Sequence, residues 1–295
     1  MIKGDLEMKI ALLPNLTRDE EGKITKEICH WLKEYGAEYA CMDEAYSAFK
    51  EDPDMTSYAL EDLIPWCDVI ITVGGDGSML RAAKTTVEYG KPLLCINAGH
   101  LAFMAGLESD ELSRLKALID GEYELDPRML FNVKLLRNGR VIKKEKIIND
   151  VAVCRGSQVK IVDLDVTCDG HLINTYRADG VIVATPTGSS AYCLAAGGPV
   201  LNPSMKGIVV TPICPQSLFA RSIVFSSDNA ITVSINPDSR CKDVVVSLDG
   251  GDPIKVMEGD VISITQSRYE AKFIRIKNDP FFAILNTKLA GTEAL

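Results

Sequence analysis

The chain has 295 residues, 46% of them hydrophobic and 25% charged, which excludes a disordered or fibrous protein and is long enough for two cores. With 32 Lys and Arg against 41 Asp and Glu, the formal net charge of −9 argues against a nucleic-acid or anionic-membrane surface and leaves room for a local pocket that takes a phosphorylated metabolite. The first residues, Met1-Ile2-Lys3-Gly4-Asp5, carry charge and no apolar leader, so no signal peptide is expected. The longest uncharged run, 180–205, is broken by Pro186, Pro199, Pro203 and four glycines and reads as a neutral site wall rather than a membrane span. Nine cysteines without a C-x-x-C pair, and only three histidines, fit reduced and mostly buried thiols in a cytoplasmic protein better than a disulfide framework or a zinc site.

In chain order, residues 8–13 form an apolar strand, and Ile24, Ile28, Trp31, Leu32 and Tyr35 share one face of a helix. Residues 38–42, 68–73 and 92–96 read as further strands, with 79–89 helix-like between the last two. Strand and helix alternating in this way predict a parallel sheet with crossover helices. The stretch 43–56, with Asp52, Pro53 and Asp54, reads as a surface loop. Ser109 is the expected N-cap of a helix whose Leu112, Leu115, Leu118 and Ile119 lie on one face, ending at Gly121.

After Asp126-Pro127 the texture changes to short β-rich runs. Asn138-Gly139 and Asp169-Gly170 each sit between apolar stretches and predict hairpins. Strands are expected at 180–184, 208–211, 230–235, 244–248, 261–265 and 271–276, with helical character only at 187–196. The pattern is an α/β domain over 1–126 and a mostly antiparallel β domain over 127–279, with an apolar, helix-patterned tail, 280–295, returning to the first domain.

The most informative stretch is Gly74-Gly75-Asp76-Gly77-Ser78, placed where an apolar strand stops and a helix starts. Glycines let a ligand approach the backbone, and the helix start presents N–H groups and a positive dipole end to an anion. A carboxylate placed there repels phosphates unless it holds a metal ion or faces a hydroxyl about to be phosphorylated, so Asp76 points to phosphoryl transfer. The competing reading is a tight turn with Asp76 capping the helix. A second glycine- and hydroxyl-rich segment follows Asp179-Gly180 and a buried strand: Thr185-Pro186-Thr187-Gly188-Ser189-Ser190-Ala191-Tyr192, in which Tyr192 offers an aromatic face to a base or else belongs to the core. Asp249-Gly250-Gly251 is accounted for by a β-turn, His100 by a satisfied loop histidine, and Lys206 by a solvated loop lysine.

Together these motifs, with Asn97-Ala98-Gly99-His100-Leu101-Ala102-Phe103, Asn149-Asp150, Ala196-Gly197-Gly198-Pro199, Pro212-Ile213-Cys214-Pro215 and Asn286-Thr287-Lys288-Leu289, closely resemble the NAD kinase family nearly end to end. The resemblance implies a Rossmann-like N-terminal domain beside a β-sandwich domain, in homodimers or homotetramers. It implies transfer of the γ-phosphoryl of ATP, with Mg²⁺ or another divalent cation, to the 2′-hydroxyl of the adenosine ribose of NAD, giving NADP. On this likeness Asp76 is the catalytic aspartate within Gly74, Gly75 and Gly77. Phe103 lines the dinucleotide pocket, Asn149 and Asp150 contact the dinucleotide, and Asp179, Thr187, Ser190, Ala191 and Tyr192 form the nucleotide-contacting segment. Arg177 stands where NAD-selective relatives carry arginine, so a preference for NAD over NADH is expected. No residue is assigned as a metal ligand.

The chain departs from the family pattern at Ala102 for glycine, Asp150 for glutamate, Ser190 for threonine, and Met104 for an aromatic in some relatives. Two rivals share part of the pattern. A diacylglycerol-kinase-type lipid kinase carries the same glycine loop, as phosphofructokinases carry a similar one, but neither explains residues 185–192 and their Asn149-Asp150 companion. A non-catalytic NADP sensor would not require Asp76, and NADPH formation in a coupled assay separates it from an enzyme.

Overall fold

The computed structural model describes residues 7–99, 102, 104–277, 281, 285 and 286, and the chain divides into two compact units, residues 1–127 with 271–295, and residues 128–270.

In the first unit the strands are β1 (Lys9–Pro14), β2 (Glu38–Met42), β3 (Thr56–Tyr58), β4 (Val69–Gly74), β5 (Leu93–Asn97) and β6 (Leu107–Glu108). They pair in parallel in the order β3-β2-β1-β4-β5, with β6 beside β5 and Phe273 pairing with Leu93. All of β4 is buried, as expected for a central parallel strand covered on both faces. Helix α1 (Lys23–Glu34) buries Ile28, Cys29 and Leu32 against Leu12, Ile71 and Leu94 of the sheet, which is the face its 3.6-residue period marks. Helix α2 (Asp43–Tyr46) and helix α3 (Leu60–Trp66) precede α4 (Asp76–Thr86), which starts where β4 ends.

Two local expectations are corrected in this unit. The 43–56 stretch is no surface loop: it contains α2, and Phe49 and Met55 are buried in the core. Two apolar anchors outweigh the turn chemistry of Asp52-Pro53-Asp54. Ser109 lies in a turn and caps nothing; Leu112–Arg114 is a 3₁₀ turn leading into α5 (Leu115–Ile119), and the Glu111 carboxylate accepts the Glu108 N–H at 3.0 Å instead. The 280–289 tail falls mostly outside the described residues; Leu285 and Asn286 are helical and Leu285 is buried.

The second unit consists of antiparallel strands. β7 (Glu124–Arg137) and β8 (Arg140–Ile147) form the Asn138-Gly139 hairpin, with φ of 50° and 74° at the two turn residues, the positive pair a type I′ turn requires. β9 (Asp150–Arg155) follows, then β10 (Val162–Cys168) and β11 (His171–Ala178), joined by Asp169-Gly170 at φ of 50° and 80°. β12 (Gly180–Ala184), α6 (Tyr192–Ala195), β13 (Gly207–Ile213), β14 (Ile223–Ser226), β15 (Ile231–Ile235), β16 (Val244–Leu248), β17 (Ile254–Val256) and β18 (Val261–Arg275) complete the order. One sheet runs β11-β10-β15-β18, with β7 on β18 and β8 on β7; the other runs β14-β13-β12-β9-β16-β17. Phe131, Leu164, Val233 and Ile262 of the first share one core with Val153, Val183, Val210 and Val246 of the second, a β-sandwich.

Strands β15 and β16 alternate buried and half-buried positions because one face is solvated, whereas β12 is buried throughout. Its second face, Ile182 and Ala184, is covered by Cys193 and Leu201, which follow the glycine-rich segment. Two expectations change here. The strands read at 261–265 and 271–276 are one continuous strand, since Gln266 to Glu270 stay extended. The helix read at 187–196 is broken at Ala191, whose φ of −99° and ψ of −128° separate a 3₁₀ turn, Gly188–Ser190, from α6.

Candidate functional site

In the first unit the site is the β4–α4 junction. Gly74 has φ of +156°, and a Cβ there would lie 2.6 Å from the Ser78 Oγ, so only glycine lets Ser78 close back on the strand end. Ser78 in turn accepts the Asn15 side-chain amide at 2.7 Å, tying the end of β1 to the first turn of α4. Gly75 is the N-cap and lacks a side chain, which places Asp76 at the first helical position. Asp76 is therefore not the capping residue: its Oδ1 accepts the Met104 N–H at 3.0 Å and holds the neighbouring loop. Gly77 is exposed, with nothing within 4 Å of where its Cβ would stand. Asn97, at the end of β5, organises the same loop by donating to Glu108 at 2.7 Å and by exchanging hydrogen bonds with the backbone of Gly99. Phe103 and His100 lie outside the described residues.

In the second unit the site is built around residues 148–150. The Asp249 carboxylate accepts the backbone N–H of Ile148 at 3.1 Å, of Asn149 at 2.7 Å and of Asp150 at 3.2 Å, and the Asp249 N–H donates to the Asp150 carbonyl at 3.0 Å. Asp249 has φ of 50°, a conformation short polar residues tolerate, and the turn aims its carboxylate at those amides. The Thr185 N–H donates to the Asn149 carbonyl at 2.9 Å, and the Thr185 hydroxyl bonds the Ile148 carbonyl. Gly188 lies against the same peptide: a Cβ on it would stand 2.0 Å from the Asn149 carbonyl oxygen. Asn149, Asp150, Thr185 and Gly188 are thus one packed assembly.

The rest of the glycine-rich segment is held locally. Thr187 is buried and accepts the Arg128 guanidinium at 3.3 Å, and the Ser190 hydroxyl donates to the Thr187 carbonyl at 3.2 Å. Ala191 is exposed, and Tyr192 is 46% exposed, so the tyrosine ring is not core and its aromatic face is available. Asp179 pairs with Arg155 at 3.0 Å, and its main chain bonds both neighbouring strands. Arg177 lies opposite Asp163 on β10, its side chain 56% exposed and its Nε 3.9 Å from the Asp163 carboxylate.

The electrostatics single out Asp150. Burial, with the Asp249 carboxylate adding to it, pushes its carboxyl up to about 7. Burial likewise raises the Cys154 thiol to about 11 and the Tyr192 phenol above its usual value. All nine cysteines are free thiols, six of them buried. Among the described residues no three His, Cys, Asp or Glu side chains cluster as a metal cage. Asp76 is a carboxylate at this turn that could join the phosphate and water ligands of a divalent cation. Arg128 and Asn15 were not singled out in the sequence; Thr185 was read only as part of the 185–192 segment, and Asp249 only as the start of an Asp-Gly-Gly that a plain turn explained equally well.

Comparison with known proteins places these motifs in context. Residues 10–123 match the ATP-NAD kinase N-terminal domain and residues 148–276 the ATP-NAD kinase C-terminal domain. The NAD kinase of Caldanaerobacter subterraneus subsp. tengcongensis is 34% identical over 282 residues, 95% of this chain and 98% of that one. The NAD kinase of Symbiobacterium thermophilum is 40% identical over 226 residues, 76% of this chain and 79% of that one. Among solved structures, yeast NADH kinase complexed with NADH superposes with a TM-score of 0.87 at 22% identity, covering 98% of this chain and 89% of that one. An NAD kinase from Archaeoglobus fulgidus in complex with ATP superposes with a TM-score of 0.67 at 23% identity, covering 96% and 99%. The two structural likenesses concern the fold. The two domain matches and the near full-length relatives concern descent, and by them this chain belongs to the NAD kinase family.

Proposed function

We propose that this chain is an NAD kinase that transfers the γ-phosphoryl of ATP to the 2′-hydroxyl of the adenosine ribose of NAD. The observation that carries the reading is the β4–α4 junction: Asp76 stands at the first helical position behind a glycine turn, and its carboxylate is oriented by the Met104 N–H rather than spent as a cap. A carboxylate so placed accepts a hydrogen bond from the acceptor hydroxyl and takes its proton as the phosphoryl arrives. Because such transfer passes through a loose transition state, positioning and charge compensation supply most of the rate. The Ser78 and Met79 N–H groups donate to the Gly75 carbonyl, and the N–H groups that precede them, at the positive end of the α4 dipole, are suited to phosphate oxygens. Mg²⁺ carried by ATP supplies charge compensation when bound.

In this reading Asn149 and Asp150 bind the dinucleotide from the loop that Asp249 braces. Asp179, Thr187, Ser190, Ala191 and Tyr192 complete the contact, with the exposed Tyr192 ring stacking on a base. Family membership disfavours the lipid-kinase and sensor alternatives. No described helix is long and apolar enough to cross a membrane. A homodimer or homotetramer is part of the same proposal, supported by Leu218 and Phe219, 84% and 89% exposed on the second unit. Light scattering at micromolar concentration that returns a monomer mass refutes this assembly.

The deciding experiment supplies purified protein with ATP, Mg²⁺ and NAD, with diacylglycerol and fructose 6-phosphate as competing acceptors. Formation of NADP, read by a coupled assay for NADPH, supports the reading. Phosphorylation of either competitor in place of NAD overturns it.

A further inference from the structure

Tyr176, near the end of β11, is 2% exposed, and its phenol oxygen is the one buried side-chain oxygen or nitrogen among the described residues that makes no hydrogen bond. A buried hydroxyl left unpaired destabilises a fold, so each instance calls for a reason. Tyr176 lines a cavity of about 310 Å³, at the lower end of the size range of small-molecule sites. The cavity lies wholly within the second unit, between the edge strand β11 and the connection from β13 to β14. Asn174 shares a strand face with Tyr176, lies beside its phenol and lines the same cavity, which puts the hydroxyl at the cavity wall. Burial holds the phenol above its usual range, so it stays protonated and can donate.

The wall facing β11 is tied in place by its own hydrogen bonds. The Gln216 N–H donates to the Arg177 carbonyl at 2.9 Å, and the Arg221 guanidinium donates to the Leu218 and Ala220 carbonyls at 2.7 and 2.8 Å. The polar groups that line the cavity are donors. The Ser217 hydroxyl accepts the Phe219 N–H at 3.3 Å, which leaves its own proton to give. Arg177 makes no side-chain hydrogen bond among the described residues, since its Nε stands 3.9 Å from the Asp163 carboxylate. The Asn174 amide adds two donors, and no carboxylate of a described residue lines the cavity. The remaining walls are apolar, from Pro215, Phe219 and Ala220.

We propose that this cavity binds a small aromatic carboxylate, with the carboxylate oxygens taken by the donors of Tyr176, Asn174, Arg177 and Ser217 and the ring lying against Pro215 and Phe219. A planar guanidinium fork matches the two oxygens of a carboxylate, and an aromatic ring is what an exposed phenylalanine face stacks upon. The ligand also gives the Tyr176 hydroxyl the acceptor it has nowhere in the chain. Of the residues read as contacting a nucleotide, only Arg177 lines this cavity, so the ligand is one other than NAD or ATP. The assignment is independent of the kinase reading.

The test uses the full chain, with benzoate as the probe and benzamide, a neutral molecule of the same shape, as its comparison. Titration followed by saturation-transfer NMR is expected to show benzoate binding at least tenfold tighter than benzamide, and to show it still bound in the presence of saturating NAD and ATP. Tyr176→Phe is expected to weaken benzoate at least fivefold while melting no lower than the wild type without ligand, since it buries no unpaired hydroxyl. Ser217→Ala, in the exposed connection, is expected to weaken benzoate at least threefold. Absence of binding at millimolar benzoate overturns the proposal, as does equal affinity in the wild type and both variants. Benzamide binding as tightly as benzoate overturns the carboxylate assignment, and displacement of benzoate by NAD overturns the site by giving the cavity to the acceptor. A Tyr176→Phe variant that melts well below the wild type also overturns it, by showing the hydroxyl satisfied within the protein. Benzoate binding that follows these expectations in a protein that makes no NADP upholds this site and removes the kinase reading instead.

Discussion

The Asp249 carboxylate accepts the Asn149 N–H at 2.7 Å, one of three consecutive amides it gathers, so a turn a hundred residues away sets the shape of the loop that carries Asn149 and Asp150. Asp249→Ala removes both acceptor oxygens, and with them all three hydrogen bonds, and places alanine at φ of 50°, which is expected to cost roughly 2 kcal/mol or more of stability. Asp249→Asn tolerates the same backbone and keeps one acceptor oxygen while removing the charge. Because that charge helps raise the Asp150 carboxyl, the variant is expected to move the acidic limb of the kcat/KM profile for NAD to lower pH. An acidic limb that coincides with the wild type's shows that Asp249 braces the loop without tuning it.

Asp150 also makes stability depend on pH. Its folded-state carboxyl titrates at about 7, above the ordinary carboxylate value near 3.9, so the folded state holds the proton more tightly than the unfolded chain. The stabilisation is complete at acid pH and is lost as pH rises toward 7, at no more than about 1.4 kcal/mol per pH unit. Replacing the group by the neutral Asp150→Asn removes this dependence. Melting curves at pH 5 and pH 8 are expected to show a larger drop for the wild type than for the variant, and equal drops rule the assignment out.

Asp76→Asn retains an oxygen for the Met104 N–H and occupies the same space. It is expected to melt with the wild type, to bind NAD, and to lose roughly 10² to 10⁴ in kcat through the missing proton acceptor. Calorimetry, NAD titration and turnover on one preparation separate the outcomes. Retained turnover takes Asp76 out of the mechanism, and simultaneous loss of stability and binding means the loop has collapsed.

Gly188→Ala puts a methyl group against main chain, 2.0 Å from the Asn149 carbonyl oxygen, which no rotamer relieves. The loop and the glycine-rich segment must separate, at an expected cost of roughly 1 to 3 kcal/mol and a weakened affinity for NAD. Gly77→Ala, with open space around its Cβ position, is the matched control for stability. Equal melting temperatures for the two variants would contradict the packing described.

Arg177 bears on the choice between NAD and NADH. Its pair with Asp163 is long, 3.9 Å, and the arginine is more than half exposed, so it adds little to stability. Arg177→Gly is expected to leave the melting temperature within a few degrees of the wild type and to shift the kcat/KM ratio toward NADH. If the wild type itself uses both dinucleotides equally, no preference exists to assign.

The local chemistry of the sequence determined much of this protein. A fully apolar run marked β4, the 3.6-residue period marked the buried face of α1, and Asn138-Gly139 and Asp169-Gly170 marked hairpins, because these signals are complete within a few residues. The glycine turn around Asp76 was legible for the same reason. Where a distant contact competes with a local preference, the sequence was silent or misleading. Burial of Phe49 and Met55 made a structured segment of a turn-rich one, and β18 runs unbroken because its neighbours keep the intervening residues extended. Only the tertiary structure brought Asp249 onto the amides of residues 148–150, Gly188 onto Asn149, and Ser78 onto Asn15, since each is a contact between residues tens of positions apart. Residue type and spacing announce a motif's chemistry, but a carboxyl buried beside another carboxylate, as Asp150 is beside Asp249, acquires its charge state from the fold.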